Sequence, residues 1–106
     1  MERHFIAIEP GLMAGLPVVD RHRITAEQMA NAWWSGLTIK GIEENWPAMN
    51  RGAVLVACWY QARYGSRTWR KRWKEWLEIA NDELWSGLYS TCPMPPQRRE
   101  FPDAAK

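Results

Sequence analysis

Cysteine is scarce in this sequence, and its placement excludes the common metal and disulfide motifs. Cys58 and Cys92 lie far apart with no CxxC pair, and His4 and His22 lack the spacing of metal ligands. We therefore expect neither a zinc site, nor a disulfide framework, nor a cofactor. Because free thiols are typical of a reducing compartment, the expected location is the cytoplasm.

Long apolar runs are missing as well. No stretch reaches the roughly 18 consecutive apolar residues that a transmembrane helix needs. The run Phe5-Ile-Ala-Ile8 is too short for the apolar part of a signal peptide. The sequence therefore predicts a protein that has no membrane partner.

Catalytic motifs are also absent. The chain contains no G-x-S-x-G, no phosphate-binding loop, no H-E-x-x-H and no dinucleotide fingerprint. The neighbours Glu43 and Glu44 would point in different directions on a helix, so they cannot act as a paired acid and base. We expect a non-catalytic protein.

Tryptophan, by contrast, is abundant, with eight residues in a chain of 106. Each ring can bury roughly 150–250 Å², which would help a short chain to complete its core. Some rings could instead form a partner surface, because Trp is enriched at interface anchors. Trp34 and Trp85 are the candidates, since Trp34 adjoins Trp33 on one helix and Trp85 lies off the main apolar stripe of the last helix.

Apolar runs, caps and breakers predict a short β element followed by helices. Phe5–Ile8 and Val18–Val19 are strand candidates that adjoin Pro/Gly turns. Thr25 with a Gln three residues later forms a capping box, which predicts a helix over about 26–35. Thr38 and Asn50 are the next N-cap candidates, for helices that run to Trp46 and to about Tyr64. The middle of the third helix is apolar all round, so another element must cover it.

The C-terminal third contains one long amphipathic pattern and then a polar tail. An apolar stripe that includes the bulky residues Trp69, Trp73, Trp76 and Leu84 predicts a helix over about 67–89. The Pro-rich and charged residues 91–106 predict a flexible tail, extended or disordered. We therefore expect a single helical domain over residues 1–90.

An ordered set of short motifs across residues 5–64 resembles a known family, the antitoxin-like domain of unknown function four-three-three. The motifs are Ile8-Glu-Pro-Gly-Leu-Met-Ala-Gly15-Leu-Pro-Val-Val19, Arg23-Ile24-Thr25, Gly36-Leu-Thr38, Ile42, Trp46-Pro47 and Val54. The resemblance implies a homeodomain-like core of three helices with a short strand region. It also implies kinship with the VapB-type, DNA-binding antitoxins of toxin–antitoxin pairs. The expected fold is thus mainly α, a trihelical helix-turn-helix-like core with a short N-terminal β element and an added C-terminal amphipathic helix.

Basic residues crowd the start of the last predicted helix. Net charge is only +2, so their clustering matters more than their number. The cluster is Arg67, Arg70, Lys71, Arg72 and Lys74. In one continuous helix, cations at the start and acids at the end oppose the macrodipole, and Lys71–Glu75 and Lys74–Glu78 pairs recover little. This order of charges along the helix therefore favours contact of the cluster with an acidic partner. The alternative interpretation is that the cluster is a solvated basic face.

Contact with DNA would use two kinds of residue. In a helix-turn-helix geometry, Asn50 and Arg51 at the start of the third helix are the base-reading candidates. Arg21, Arg23 and Lys40 are candidates for phosphate contacts, together with the basic cluster. Beyond its first turn, however, the third helix offers almost no polar group before Gln61.

Two functions follow as hypotheses. The first is a small DNA-binding transcription regulator of antitoxin or mobile-element type that acts as a homodimer. The second is a protein-binding module, or a phage-type effector, that grips a host or toxin protein through its Trp-rich helix.

Overall fold

The computed structural model describes residues 4–87 and 91–98. Within these ranges the chain forms a two-stranded sheet, one turn of 3₁₀ helix at Met13–Gly15 and five α-helices. The strands are β1 (Ile6–Ala7) and β2 (Val18–Val19), and the helices are α1 (Ala26–Trp34), α2 (Ile39–Asn45), α3 (Arg51–Tyr64), α4 (Arg67–Arg72) and α5 (Lys74–Trp85). The predicted mainly α class with a short N-terminal β element is confirmed.

The β element is held by side chains as well as by its ladder. β1 pairs with β2 antiparallel, with Ile6 opposite Val19. The Asp20 carboxylate accepts the Phe5 N–H at 2.8 Å, and its other oxygen lies 2.5 Å from His4 Nδ1. Because two strands of this length are marginal alone, packing against α3 stabilises them.

The first three helices begin at the caps predicted from the sequence, which are Thr25, Thr38 and Asn50. Thr25 Oγ1 accepts the Gln28 N–H at 3.0 Å, and Gln28 Oε1 accepts the Thr25 N–H at 2.9 Å, which completes the capping box. Gly36 follows α1 with a φ of +105°, a left-handed conformation that glycine adopts without strain.

Helix α3 is the centre of the fold. It packs against α1, α4, α5 and both strands, and residues 53–58 are buried on every side. Its apolar sequence therefore reflects its surroundings, as predicted, because a helix without a polar face must be covered. One consequence is that little of α3 beyond its ends faces solvent.

The predicted helix over 67–89 is in fact two helices. The chain leaves helical geometry at Trp73, which has φ −119° and ψ 24°, and α5 ends at Trp85. The break places Arg70, Lys71 and Arg72 in the last turn of α4, and Glu75 in the first turn of α5. These positions favour both macrodipoles, so the prediction that the charge order opposes helix stability was wrong for these residues.

Residues 91–98 lie on the core in an irregular, extended path. Cys92 and Gln97 are buried there, and Pro95 is buried between them. The sequence predicted a flexible tail from residue 91; this part is extended but packed, and residues 99–106 lie outside the described part of the chain. Among the described residues, no helix is long and apolar enough to cross a membrane.

Candidate nucleic-acid interface

A shallow, open groove on α4 and the start of α5 is lined by four cations. We call it the basic groove; it has a volume of about 550 Å³ and is lined by Arg67, Arg70, Lys71, Lys74, Ala62 and Leu77. All four cations are exposed, while Ala62 and Leu77 form its apolar floor. The helical spacing of these residues places their charges around one surface.

The cations of the basic groove are not neutralised by the described part of the protein. None of the four forms an ion pair with a carboxylate of a described residue. The predicted pairs Lys71–Glu75 and Lys74–Glu78 are likewise not formed. Their positive potential is therefore available to an anionic partner.

Arg72 belongs to the same basic run but lies elsewhere. Its guanidinium carbon lies 4.6 Å from the ring centroid of Trp34 and 4.7 Å from that of Trp69. These distances define two cation–π contacts. Burial lowers the pKa of the Arg72 guanidinium, and the charge of Arg98 lowers it further. Arg72 thus fastens α4 to α1 and does not line the basic groove.

The two predicted base-reading residues are engaged within the protein. The Asn50 side chain accepts the Ala53 N–H at 3.3 Å and so caps α3. The Arg51 guanidinium donates to the Cys92 carbonyl oxygen. To contact base edges, both side chains would have to leave these partners. The basic groove is therefore a better candidate for contact with DNA than the start of α3.

The three predicted phosphate contacts outside the last helices are not brought to the basic groove. Arg21 pairs with Glu9 at 3.0 Å in the turn after β2. Arg23 lines a separate hollow of about 230 Å³ beside Trp46. Lys40 is exposed in the first turn of α2. These residues provide scattered positive charge and no shared surface with α4.

Trp34 and Trp85, the predicted interface residues, have different surroundings. Trp34 is partly buried, and its ring meets Trp73 edge-on with centroids 6.1 Å apart. Trp85 is 72% exposed and contacts Trp59 edge-on at 5.9 Å. Only Trp85 presents most of its surface to solvent.

Trp85 borders an apolar surface hollow that the sequence did not reveal. This aromatic hollow has a volume of about 310 Å³ and is lined by His4, Phe5, Ile6, Ile8, Val56, Trp59, Tyr60, Tyr64, Leu84 and Trp85. Phe5, Ile8, Tyr64 and Trp85 are each at least half exposed. The residues come from β1 and its neighbours in the chain, from α3 and from α5, so no local sequence pattern could have found it.

The pair of His4 and Asp20 at the edge of the aromatic hollow was also not predicted. Sixteen residues separate the two, and their side chains meet because β1 and β2 are adjacent. Gly52 leaves space for the imidazole, because a Cβ at that position would lie 2.8 Å from His4 Cδ2. The pair ties the N-terminal strand to the turn after β2. Among the described residues, no group of three or more His, Cys, Asp or Glu side chains could hold a metal ion.

Fold and surfaces together define a small, mainly helical protein with a basic groove and an aromatic hollow. A family model described as "Protein of unknown function (DUF433)" matches residues 6–60, just over half of the chain. The chain belongs to this family, which confirms the predicted resemblance to the domain of unknown function four-three-three. The match ends within α3, so α4, α5 and the basic groove lie outside it. Neither a curated protein nor a solved structure matches the chain.

Proposed function

We propose that this protein is a small, non-catalytic, cytoplasmic DNA-binding regulator of antitoxin or mobile-element type, which holds the phosphate backbone in the basic groove. The observation that carries the proposal is the set of four exposed cations around one open groove without carboxylate partners among the described residues. Arg and Lys side chains of this kind supply most of the affinity of proteins for duplex DNA.

Backbone contact fixes the mode of binding. Phosphate contacts position a protein on the duplex and carry no sequence information themselves. Because Asn50 and Arg51 are engaged within the protein, base reading from α3 is not part of the proposal. Without base contacts, the expected Kd lies at roughly 10⁻⁴–10⁻⁶ M at physiological salt.

A pair of charge variants tests the groove. In the groove variant, Arg67, Arg70, Lys71 and Lys74 are each replaced by Gln. In the control variant, Arg21→Gln, Arg23→Gln and Lys40→Gln remove a similar charge from positions outside the groove. Gln is polar and keeps part of the aliphatic stem while removing the charge, and the replaced side chains are exposed or partly exposed, so both variants should fold.

Fluorescence anisotropy with a labelled duplex at low salt gives the readout. The proposal predicts that the groove variant loses most of its affinity and that the control variant keeps it. Equal losses would show a response to net charge alone, and an absence of binding by the wild-type protein would refute DNA as the partner.

The aromatic hollow favours a second candidate function, docking of a protein. Contiguous exposed apolar surface on a small protein marks an interaction site. Among the described residues, β1 pairs with β2 only, so its other edge has no strand partner, and Ile6 of β1 lines the hollow. A second copy of the chain could bury Trp85, Tyr64 and this edge in a symmetric homodimer.

Oligomeric state tests this candidate. Sedimentation equilibrium should show a dimer for the wild-type chain and a monomer for Trp85→Ala. A wild-type monomer that captures a toxin or host protein through Trp85 would favour a heterologous partner. A monomer without such a partner would refute docking at the hollow.

A further inference from the structure

Three indole N–H groups point at the backbone of one proline-rich segment. Trp76 Nε1 donates to the Pro93 carbonyl oxygen at 2.7 Å, and Trp73 Nε1 donates to that of Pro96 at 3.1 Å. The third bond, from Trp33 Nε1 to the Pro95 carbonyl oxygen, measures 2.8 Å. We call the surface formed by Trp33, Trp73 and Trp76 the Trp groove, and residues 92–97 the proline segment.

The sequence Cys-Pro-Met-Pro-Pro-Gln of the proline segment sets its conformation. Proline fixes φ near −65°, and each residue before a proline is driven to an extended ψ. This sequence favours a polyproline II path, in which backbone carbonyls point outward without internal hydrogen bonds. In an ideal polyproline II helix, with three residues per turn and about 3.1 Å of rise per residue, the carbonyls of residues i and i+3 lie one turn, or about 9 Å, apart on one edge. Pro93 and Pro96 have this spacing in the sequence. Trp76 and Trp73 bind these two carbonyls.

Polar contacts hold both ends of the proline segment. The Arg51 guanidinium donates to the Cys92 carbonyl oxygen at one end. Gln97 Nε2 at the other end donates to the carbonyl oxygens of Trp33 at 3.1 Å and Leu37 at 3.0 Å. Cys92 is fully buried and Gln97 is only 6% exposed. The whole segment is thus docked through side-chain hydrogen bonds across its length, without strand pairing.

This combination is the general solution for recognition of proline-rich peptides. Domains that bind such peptides use aromatic-lined grooves, because the polyproline II backbone is ordered before binding and loses little entropy. A proline has no N–H, so its backbone can only accept hydrogen bonds. The Trp groove provides three indole N–H donors for the proline carbonyl oxygens. Two of its three rings are in contact, because Trp73 meets Trp76 edge-on at 6.3 Å, and Trp73 is backed by Trp69, which stacks on it at 4.9 Å.

We propose that the Trp groove is a recognition site for proline-rich peptides of the form P-x-P-P-Q, and that the chain's own proline segment occupies it in cis. A partner with such a segment would compete with residues 92–97 for the three indole donors. The proposal does not depend on DNA binding, because the Trp groove shares none of its three Trp residues with the basic groove.

Cys92 reports whether the proline segment is docked. Its side chain is fully buried in the docked segment, and burial raises the pKa of the Cys92 thiol. A thiol reagent should therefore label Cys92 slowly, and only when the segment leaves the groove. Peptide-mapping mass spectrometry distinguishes Cys92 from Cys58, which is buried in α3.

The test uses the wild-type chain and a free peptide, TSPMPPQR, which matches residues 91–98 with Ser in place of Cys. If the peptide competes for the groove, the labelling rate of Cys92 should rise as 1 + [peptide]/Kd, where Kd is the dissociation constant of the peptide from the groove that the proline segment has left. The rate should therefore double when the peptide concentration equals this Kd. The matched control is TSAMAAQR, whose alanines restore backbone N–H groups and remove the polyproline preference. Cys58 serves as the internal reference and should keep its rate.

Three results would overturn the proposal: a Cys92 rate that does not respond to TSPMPPQR, equal acceleration by both peptides, or equal acceleration of Cys58. Dimers that form at higher protein concentration and label Cys92 faster would support the proposal, because a second copy of the chain then supplies the proline segment in trans. Trp76→Phe keeps an aromatic ring but removes the donor to Pro93. It should label faster without peptide and respond less to TSPMPPQR, and the wild-type result stands even if this variant does not fold.

Discussion

Replacing Trp73 by Phe tests the packing at the centre of the C-terminal half. Trp73 is only 1% exposed and occupies the break between α4 and α5. Its ring contacts Trp34, Trp69 and Trp76, and its Nε1 donates to the Pro96 carbonyl oxygen. Phe preserves part of the ring contacts but removes the donor and one ring of the indole.

Two contributions, a lost hydrogen bond and a cavity, set how far Trp73→Phe lowers the free energy of unfolding. The missing hydrogen bond costs about 0.5–1.5 kcal/mol, and more if the Pro96 carbonyl stays buried without a donor. The smaller ring leaves a cavity; complete truncation of a buried Trp costs about 3–5 kcal/mol, and Phe keeps part of that packing. We therefore expect Trp73→Phe to lower the free energy of unfolding by about 2 kcal/mol, which corresponds to a Tm lower by roughly 10 °C.

Urea denaturation followed by far-UV circular dichroism measures this change. The matched control is Trp85→Phe, at a residue that is 72% exposed, for which the expected change is within about 0.5 kcal/mol. The slope of the transition should be unchanged in both variants. If Trp73→Phe is as stable as Trp85→Phe, Trp73 does not hold α4, α5 and residues 92–97 together, and the reasoning fails.

Three further changes are expected at α3. Gly65→Ala should cost about 1–3 kcal/mol in urea denaturation, because its Cβ would lie 2.5 Å from the Gln61 carbonyl oxygen. Asn50→Ala removes the bond to the Ala53 N–H and should cost about 0.5–2 kcal/mol without changing duplex affinity in anisotropy titrations. Burial raises the pKa of the Cys58 thiol, so the unfolded chain loses this proton first and stability should fall as pH rises above about 8.5. The Cys58 contribution has a slope of at most about 1.4 kcal/mol per pH unit, and Cys58→Ala should remove that contribution. The Cys92 thiol, whose pKa burial also raises, contributes with the same sign in both proteins, so the difference between wild type and Cys58→Ala isolates Cys58.

Each of these expectations can fail separately. A stable Gly65→Ala would mean that the end of α3 can shift to admit a Cβ. Loss of duplex affinity in Asn50→Ala, beyond its effect on folding, would restore Asn50 as a DNA contact. A pH dependence as steep in Cys58→Ala as in the wild type would assign it to groups other than Cys58.

Local signals predicted the first half of the fold well. The capping box at Thr25 and the caps at Thr38 and Asn50 act within a few residues, and each appears in the structure. The apolar sequence of α3 also predicted its burial correctly. These features depend on short-range chemistry or on composition, which a single sequence displays directly.

The C-terminal half was harder to predict because tertiary contacts decide it. An apolar stripe is the same for one long helix and for two helices joined at Trp73, and no Pro or Gly marks the break. A Pro-rich segment has the composition of a flexible tail, yet residues 92–97 are held by Trp side chains far away in sequence. Single-residue patterns contain no information on such partners.

The candidate sites show the same difference between local patterns, which the sequence displays, and tertiary contacts, which it does not. Clustering along one stretch of chain allowed the sequence to predict Arg67, Arg70, Lys71 and Lys74 as one surface. It could not separate Arg72 from them, because the two Trp rings that hold Arg72 come from α1 and α4. Nor could it predict the aromatic hollow, whose lining comes from three distant elements.

The salt dependence of duplex binding shows whether the basic groove binds phosphates. If the four cations of the basic groove each neutralise one phosphate, log K should fall with log[salt] at a slope of about −3.6, from about −0.9 per contact. Between about 50 and 200 mM salt the affinity would then drop by about 150-fold. We predict this slope for the wild-type chain and for the control variant lacking Arg21, Arg23 and Lys40, and a slope near zero for the groove variant. A groove variant that keeps the wild-type slope would contradict the account.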